Sequence, residues 1–246
     1  MDYWRKEQIG AASGVVAAVF MAVSAFVGGR YPTQNASSQT ILTFLTDHRT
    51  RLLWQVWLFG AGAVAALWFI GSLRSTLRRA EGGTGRLAAV AFGAGIAILA
   101  GAFISEVLLA GLAYRIAGEV DATIAAALFH LVAITFALTC FPIALFVGST
   151  TLVIMRTDVL PRLVAYIGVV AVGIASVGTL SMFYDSGRLA VGSNYSFYGP
   201  FTAVLVFTFV TSATLIPALT KPENVAHMRR RVSDIWTTGE GRAAER

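Results

Sequence analysis

Apolar residues fall into six long runs along the chain, separated by short polar connections. The runs cover residues 9–27, 52–73, 87–113, 122–155, 163–184 and 200–219. A helix of about 20 residues crosses a hydrocarbon core of roughly 30 Å, and each run meets or approaches that length. Lipid offers no partner to backbone N–H and C=O groups, and the runs lack the alternation of barrel strands. The pattern therefore predicts an all-α, polytopic bundle of six transmembrane helices.

The connection over residues 28–51 is predicted to contain a short helix at the outer membrane interface. Ser37 or Ser38 can cap its first turn, because a hydroxyl there accepts a hydrogen bond from a free backbone N–H. The apolar residues that recur at helical spacing are Ile41, Leu42, Phe44 and Leu45. Two roles are open for this helix: it lies in the head-group layer, or it covers an outward-facing cavity.

The fourth run is longer than a bilayer core requires, since a continuous helix over it would measure about 51 Å. Pro142 lies within this run. Its ring removes one backbone hydrogen bond and clashes with the carbonyl of Leu138, so a kink is predicted near residues 138–141, with Thr139 able to compensate. Pro217 is predicted to act in the same way near the end of the sixth helix.

The last residues, 221–246, are predicted to form a cytoplasmic, basic, amphipathic tail that follows a transmembrane domain of residues 1–220. Apolar residues recur there at helical spacing opposite charged ones, which indicates a helix along the inner leaflet. The candidate contacts with anionic lipid head groups are Arg229, Arg230, Arg231 and Trp236. A docking site for a cytoplasmic protein is the alternative.

The net charge of +6 follows from membrane topology and does not call for nucleic acid as a partner. With both termini in the cytoplasm, fourteen of the 19 Lys and Arg residues lie inside, as the positive-inside rule expects for an even number of spans. Five lie outside: Arg30, Arg49, Arg51, Arg115 and Arg188. The chain is therefore predicted to be a multi-pass plasma-membrane protein whose main partner is the lipid bilayer, with anionic head groups at its inner face.

Two ionisable residues, Glu106 and His130, interrupt the apolar runs near the outer ends of the third and fourth helices. Such residues are costly in a span and mark sites worth a hypothesis. Small residues surround both at helical spacing, so both side chains are predicted to point into the bundle and to contact each other. Gln55 would complete a polar cluster. This cluster is interpreted as a structural clamp, as a binding pocket or, least favoured, as a catalytic site.

No catalytic, cofactor-binding or metal-binding residue is assigned. One intramembrane histidine cannot supply both axial ligands of a b-type haem, and the sequence contains no HExxH zinc pair. Ser149 lies in a Gly-Ser-Thr triplet that lacks the nucleophile-elbow context. Cys140 is the single cysteine, which excludes an internal disulfide. Enzyme activity is therefore not favoured, and no cofactor is expected.

Small residues at four-residue spacing predict close helix packing. They are Gly10 and Gly14 in the first helix and Ala89, Gly93, Ala97 and Gly101 in the third. Internal contacts are sufficient to explain them, and dimerisation is the alternative. Aromatic residues around the last outer connection, namely Tyr184, Tyr195, Phe197 and Tyr198, are interpreted as an interfacial belt.

Two short stretches carry a family resemblance. They are the segment 68–74 with the basic, glycine-rich turn that follows it to Arg86, and the connection 155–162. Through them the chain resembles a group of uncharacterised multi-pass integral membrane proteins common in high-GC actinobacteria, over roughly the first five helices. The resemblance implies a bacterial plasma membrane and six helices, and it transfers no catalytic residues.

These observations favour a non-enzymatic accessory or small-ligand-binding component of the plasma membrane, either alone, as a homo-oligomer or as a subunit of a membrane complex. The alternative is a small transporter or permease subunit that uses Gln55, Glu106 and His130. An intramembrane enzyme is the third class.

Overall fold

The computed structural model describes residues 3–33, 35–184 and 186–220, and these form an all-α bundle, as predicted. Its helices are α1 (Tyr3–Gly28), α2 (Ser38–Asp47), α3 (Arg49–Glu81), α4 (Arg86–Gly111), α5 (Ala117–Glu119), α6 (Ala122–Leu138), α7 (Cys140–Thr157), α8 (Arg162–Thr179) and α9 (Asn194–Thr220). A π-helical turn joins α4 to α5, and a 3₁₀ turn follows α8. The predicted amphipathic tail, with Arg229, Arg230, Arg231 and Trp236, lies outside the described residues.

Six segments are long and apolar enough to cross a membrane, which confirms the predicted number. They are Gln8–Gly28, Arg49–Glu81, Arg86–Glu119, Ala122–Thr157, Arg162–Phe183 and Asn194–Pro217. Large apolar side chains face outward along them; Phe26 and Phe183, for example, are 85% and 81% exposed. A contiguous apolar exterior of this kind fits a hydrocarbon environment, so the chain is a multi-pass membrane protein.

Several helix boundaries differ from the predicted runs, those of α9 and α3 among them. α9 begins at Asn194 rather than at Pro200, and α3 continues to Glu81 rather than ending at residue 73. Both added stretches contain polar residues, such as Asn194 and Ser196 in α9 and Ser75 and Arg78 in α3. Hydropathy reports which residues suit lipid, whereas a helix can continue past the bilayer wherever its backbone hydrogen bonds remain satisfied.

The predicted irregularity in the fourth span is confirmed at Thr139. α6 ends at Leu138 and α7 begins at Cys140, so the span is divided where Pro142 removes a backbone hydrogen bond. The Thr139 hydroxyl donates to the carbonyl of Phe136 at 2.6 Å and not to that of Leu138, so the predicted compensation by Thr139 does not reach the carbonyl that loses its partner at Pro142. By contrast, α9 remains helical through Pro217 to Thr220, without a break at that proline.

The short helix α2 forms as predicted and covers one end of the bundle, which we call the α2 end. The Ser37 hydroxyl accepts a hydrogen bond from the Thr40 N–H at 3.2 Å and caps its first turn. Ile41 and Leu45 are fully buried and pack with residues of α3, α4 and α6, among them Phe129. The apolar face of α2 therefore lies on the bundle, and both roles considered for this helix stay predictions.

The glycine pair of α1 packs inside the bundle. A Cβ at Gly10 would lie 2.6 Å from Ser72 Oγ, and one at Gly14 would lie 2.5 Å from a Phe69 ring carbon. The small residues of α4 do not all face the bundle interior. A Cβ on Gly101 would lie 2.9 Å from Thr139, while Gly93 faces open space. Ala89 and Ala97 are exposed as well, so an internal seam over the whole α4 series is wrong, and dimerisation through its exposed part stays a prediction.

Glu81 closes the turn between α3 and α4. Its two carboxylate oxygens each accept a 3.0 Å hydrogen bond from a backbone N–H at the start of α4, those of Leu87 and Ala88. This carboxylate occupies the position an anion would take at a helix N-terminus, in line with a structural rather than a phosphate-binding turn.

We expect Glu81→Ala to lower the free energy of unfolding by about 1 kcal/mol, because it removes a cap from α4. Thermal unfolding in detergent measures the change. Glu119→Ala is the matched control, since within the described residues that exposed carboxylate pairs with Arg115 one turn away and should contribute about 0.5 kcal/mol or less. Equal losses in both variants would contradict the capping role.

Candidate functional site

Three polar side chains form a hydrogen-bonded chain beneath the α2 end. The Tyr31 hydroxyl donates to Gln55 Oε1 at 2.5 Å, and Gln55 Nε2 donates to Glu106 Oε1 at 3.4 Å. Tyr31 belongs to the connection between α1 and α2, Gln55 to the second turn of α3, and Glu106 to the last turns of α4. Because a phenol donates to the carbonyl end of the amide, the amino end of Gln55 turns toward the carboxyl group.

The end of α1 shapes the space that holds the Gln55 amide. The Ser24 hydroxyl donates to the backbone carbonyl oxygen of Gln55 at 2.9 Å. One turn later, a Cβ on Gly28 would lie 2.1 Å from Gln55 Oε1. Residue 28 must therefore be glycine, because the Gln55 side chain approaches its Cα closely. Near this end of α1, both the backbone and the side chain of Gln55 contact α1.

Glu106 lines a cavity of about 50 Å³ and leaves one oxygen without a protein partner. Its Oε2 is buried and accepts no hydrogen bond from the residues that the structure describes. The other polar lining residues are Ser24, Tyr31, Gln55, Ser105 and Tyr198. A buried carboxyl oxygen without a partner is costly, and in native proteins such a group calls for an explanation.

Aromatic rings make up much of the remaining wall. Phe197 stacks on Tyr31 with ring centroids 5.2 Å apart and on Phe136 at 5.5 Å. Phe201 meets Phe136 edge to face at 5.7 Å. Phe59 also lines the cavity. The carboxyl group of Glu106 thus shares a cavity with several aromatic rings, and the faces of such rings carry partial negative charge.

His130 does not join this cluster. Its Nε2 is buried and has no hydrogen-bond partner among the described residues, and it is not part of the cavity wall. The predicted contact between Glu106 and His130 forms neither a hydrogen bond nor an ion pair in the described part of the chain. The cause is rotation: Ser105 faces α6 and donates to the Val132 carbonyl at 3.0 Å, so the next residue, Glu106, turns toward α3.

The sequence prediction missed Tyr31 and the part that two aromatic residues play in the cavity. Phe197 and Tyr198, interpreted as part of an interfacial belt, also line the cavity, and the Tyr198 hydroxyl donates to the Gly29 carbonyl at 2.5 Å. Tyr184 is 47% exposed, as a belt residue would be. The signal that could have found Phe197 is its four-residue spacing from Phe201, which becomes informative only once α9 is known to begin at Asn194.

A second, apolar cavity of about 60 Å³ lies deeper in the bundle. It shares Phe59, Phe136 and Phe201 with the polar cavity, so these three rings stand between the two. Thr139, at the break between α6 and α7, lines it from one side. A polar cavity, an aromatic partition and an apolar cavity thus follow one another along the bundle interior.

The arrangement supports binding better than covalent chemistry or metal binding. Within the described ranges no three His, Cys, Asp or Glu side chains come together as metal ligands. The Ser149 hydroxyl is engaged within its own helix, where it donates to the Leu145 and Phe146 carbonyls. Among the described residues, Glu106 is the one carboxyl group of the cavity wall, and with Gln55 and Tyr31 it offers a titratable acid and two oriented dipoles.

Ionisation of Tyr31 is expected to lower the stability of the folded protein at alkaline pH. Burial, and then the nearby Glu106 carboxylate, raise the pKa of Tyr31 in the folded protein above its ordinary value of 10.0. As the pH rises, the unfolded chain ionises first, so this contribution to stability is present below about pH 10 and is lost above it.

We expect Tyr31→Phe to be less stable than the wild type at pH 8 by about 1 kcal/mol, because the hydrogen bond to Gln55 is lost. The difference should shrink as the pH rises above about 10. Thermal unfolding over that range measures both, with the exposed Tyr184→Phe as control. A stability difference between wild type and Tyr31→Phe that is independent of pH would contradict the buried, protonated state of this phenol.

No protein-family model, curated protein or solved structure matches this chain. Its function is therefore inferred from the chemistry of the cavity.

Proposed function

We propose that this protein is a non-enzymatic, multi-pass component of the plasma membrane that binds a small monovalent cation beside Glu106. The observation that carries the proposal is the buried Oε2 of Glu106, which lines an aromatic-walled cavity and has no partner among the described residues. The protein would have both termini in the cytoplasm and its α2 end at the outer face, an orientation supported by the distribution of Lys and Arg along the sequence.

Charge is the first reason to favour a cation. A buried carboxylate is stable when it is paired with a positive charge or carries a proton. Within the described residues no Lys or Arg forms an ion pair with Glu106. The faces of Phe136, Phe197 and Phe201 attract a cation through their ring quadrupoles, by about 0.5–2 kcal/mol each where a face is presented to it.

Size is the second reason. One water molecule needs roughly 10–15 Å³ of cavity volume. The cavity of about 50 Å³ therefore accommodates a few waters or one small ion. Ammonium, methylammonium, an alkali cation or a hydrated proton fits these dimensions. A sugar, a nucleotide or a lipid does not fit unless the helices move apart.

The test is cation-dependent thermal stability of the purified protein in detergent. Na⁺, K⁺, NH₄⁺, methylammonium and guanidinium chlorides are added at constant ionic strength, with choline chloride as the balancing salt. At least one cation should raise the midpoint temperature of unfolding, and the rise should follow a binding curve. A ligand at a hundred times its Kd adds about 2.7 kcal/mol of stability. The gain should weaken at low pH, where protons compete for the carboxylate. If none exceeds choline, the proposal is wrong.

Transport is the second candidate function, and the helix break at Thr139 favours it. Interrupted helices line the substrate sites of many transporters, and this break lines the apolar cavity directly below the proposed cation site. Cation or proton flux into liposomes tests it. Phe136→Ala should increase the flux, because Phe136 belongs to the partition between the cavities, whereas the exposed Phe141→Ala should not.

A further inference from the structure

Three surface depressions meet at Tyr198, where α9 begins. Two are apolar grooves on either side of α9: one of about 760 Å³ against α8, the other of about 340 Å³ against α1. Thr202 and Val206 line both of them. The third depression, of about 690 Å³, lies at the α2 end and is basic. Arg30, Arg51, Asn194 and Tyr198 line it, and we call these four residues the head pocket.

The head pocket and the two grooves are continuous. Tyr198 lines all three depressions, Asn194 is shared with the groove against α8, and Ala25 is shared with the groove against α1. From Tyr198 to Phe209, at the far end of the groove against α1, α9 rises by about 16 Å at roughly 1.5 Å per residue. That rise matches half of a hydrocarbon core of roughly 30 Å, which is the depth of one leaflet.

Contacts with the end of α1 hold Arg51, one of the two arginines of the head pocket, in place. Arg51 Nε donates to the Val27 carbonyl, and the guanidinium group lies so close to Gly29 that a Cβ there would meet Nη2. Gly29 has φ +70°, a conformation that glycine adopts without strain. Neither Arg30 nor Arg51 forms an ion pair with a carboxylate in the described ranges. Two arginines without a counter-charge therefore sit at the upper end of two lipid-facing grooves.

We propose that one anionic diacyl phospholipid of the outer leaflet binds astride α9, with its phosphate in the head pocket and one acyl chain in each groove. Arginine is suited to this role because its planar fork of N–H donors matches phosphate oxygens. Two grooves of leaflet depth that diverge from one basic pocket match a ligand with one anionic head and two chains. This site shares Tyr198 with the cation cavity but does not use Glu106. Of the proposed function it rests only on the orientation that places the α2 end at the outer face.

The test compares phosphatidylglycerol with phosphatidylcholine of identical acyl chains, added to the detergent-solubilised protein and followed by native mass spectrometry and thermal unfolding. The wild type should bind phosphatidylglycerol at least tenfold more tightly. The double variant Arg30→Gln, Arg51→Gln should lose this preference. The control is Arg49→Gln, Arg115→Gln, which removes two exposed arginines of the same end that contact Tyr114 and Glu119, and it should keep the preference.

Two further arms separate a lipid site from a simple anion site. Glycerol phosphate, which has the charge without the chains, should bind far more weakly than phosphatidylglycerol. Thr202→Trp, which fills both grooves, should reduce phosphatidylglycerol binding while leaving the basic pocket intact. Glu106→Gln should leave phosphatidylglycerol binding unchanged. Equal binding of the two phospholipids, equal loss in the control pair, or glycerol phosphate binding as tight as the lipid would each overturn the proposal.

Discussion

Glu106→Gln is expected to abolish the stabilisation of the protein by its cation. The carboxylate supplies the negative charge of the cavity wall, and a neutral amide of the same shape can keep the hydrogen bond with Gln55 but cannot pair with a cation. Removing one member of a buried ion pair costs about 3 kcal/mol or more, which corresponds to at least a roughly hundredfold loss of affinity. Cation titrations followed by thermal unfolding or calorimetry measure this loss.

The same variant separates a binding site from a structural clamp. In a binding site, Glu106→Gln removes a buried charge, so the ligand-free protein should be as stable as the wild type or more stable. In a clamp, stability should fall with or without cations. Glu119→Gln, an exposed carboxylate of the same span, should alter neither property. His130→Ala should retain cation binding, because His130 does not line the cavity. Loss of binding in that variant would move the site toward α6.

Gly28→Ala is expected to destabilise the protein and to impair cation binding together. The added Cβ would lie 2.1 Å from Gln55 Oε1 and 2.8 Å from Gln55 Cδ. The amide has little room to yield, since the Tyr31 hydroxyl holds its oxygen and the Ser24 hydroxyl holds the backbone of the same residue. Overpacking of this kind costs about 1–3 kcal/mol. Displacement of Gln55 would also release the carboxyl group of Glu106.

Gly60→Ala and Gly71→Ala are matched controls for this change. Both glycines lie within α3, and a Cβ on either would meet nothing within 4 Å. In those positions alanine should be neutral or should stabilise the helix by up to about 1 kcal/mol, because glycine is the poorer helix former. Unfolding midpoints and cation affinities of the three variants make the comparison. Similar behaviour of Gly28→Ala and the two controls would contradict the close approach at residue 28.

Aromatic rings pack around Tyr31 on the side of the cavity that faces the α2 end. Tyr31 lies over the polar cavity, and Phe44 of α2 meets its ring edge to face at 5.8 Å. Phe129 of α6 meets the same ring at 6.0 Å. A cation that enters from this end must displace the Tyr31 side chain or pass beside it. The hydroxyl that orients Gln55 and the ring that covers the cavity therefore belong to one residue.

Local patterns in the sequence were sufficient for the elements of the fold. The six spans follow from runs of apolar residues, the start of α2 follows from the capping hydroxyl of Ser37, and the break at Thr139 follows from Pro142. Each of these depends on a chain segment and its solvent, because hydropathy, capping and the missing N–H of proline act over a few neighbouring residues. Gln55 and Glu106 stood out for the same local reason, as polar residues in apolar runs.

Only the tertiary structure decided which side chains meet. In a membrane a helix can be apolar on every side, so hydrophobic periodicity does not report which face is buried. The rotation of each helix about its own axis is set by close packing against the neighbouring helices. One residue along α4 is a turn of about 100°, and it separates Ser105, which faces α6, from Glu106, which faces α3. The same packing places Tyr31 and Phe197 over the carboxyl group and leaves His130 outside the cavity.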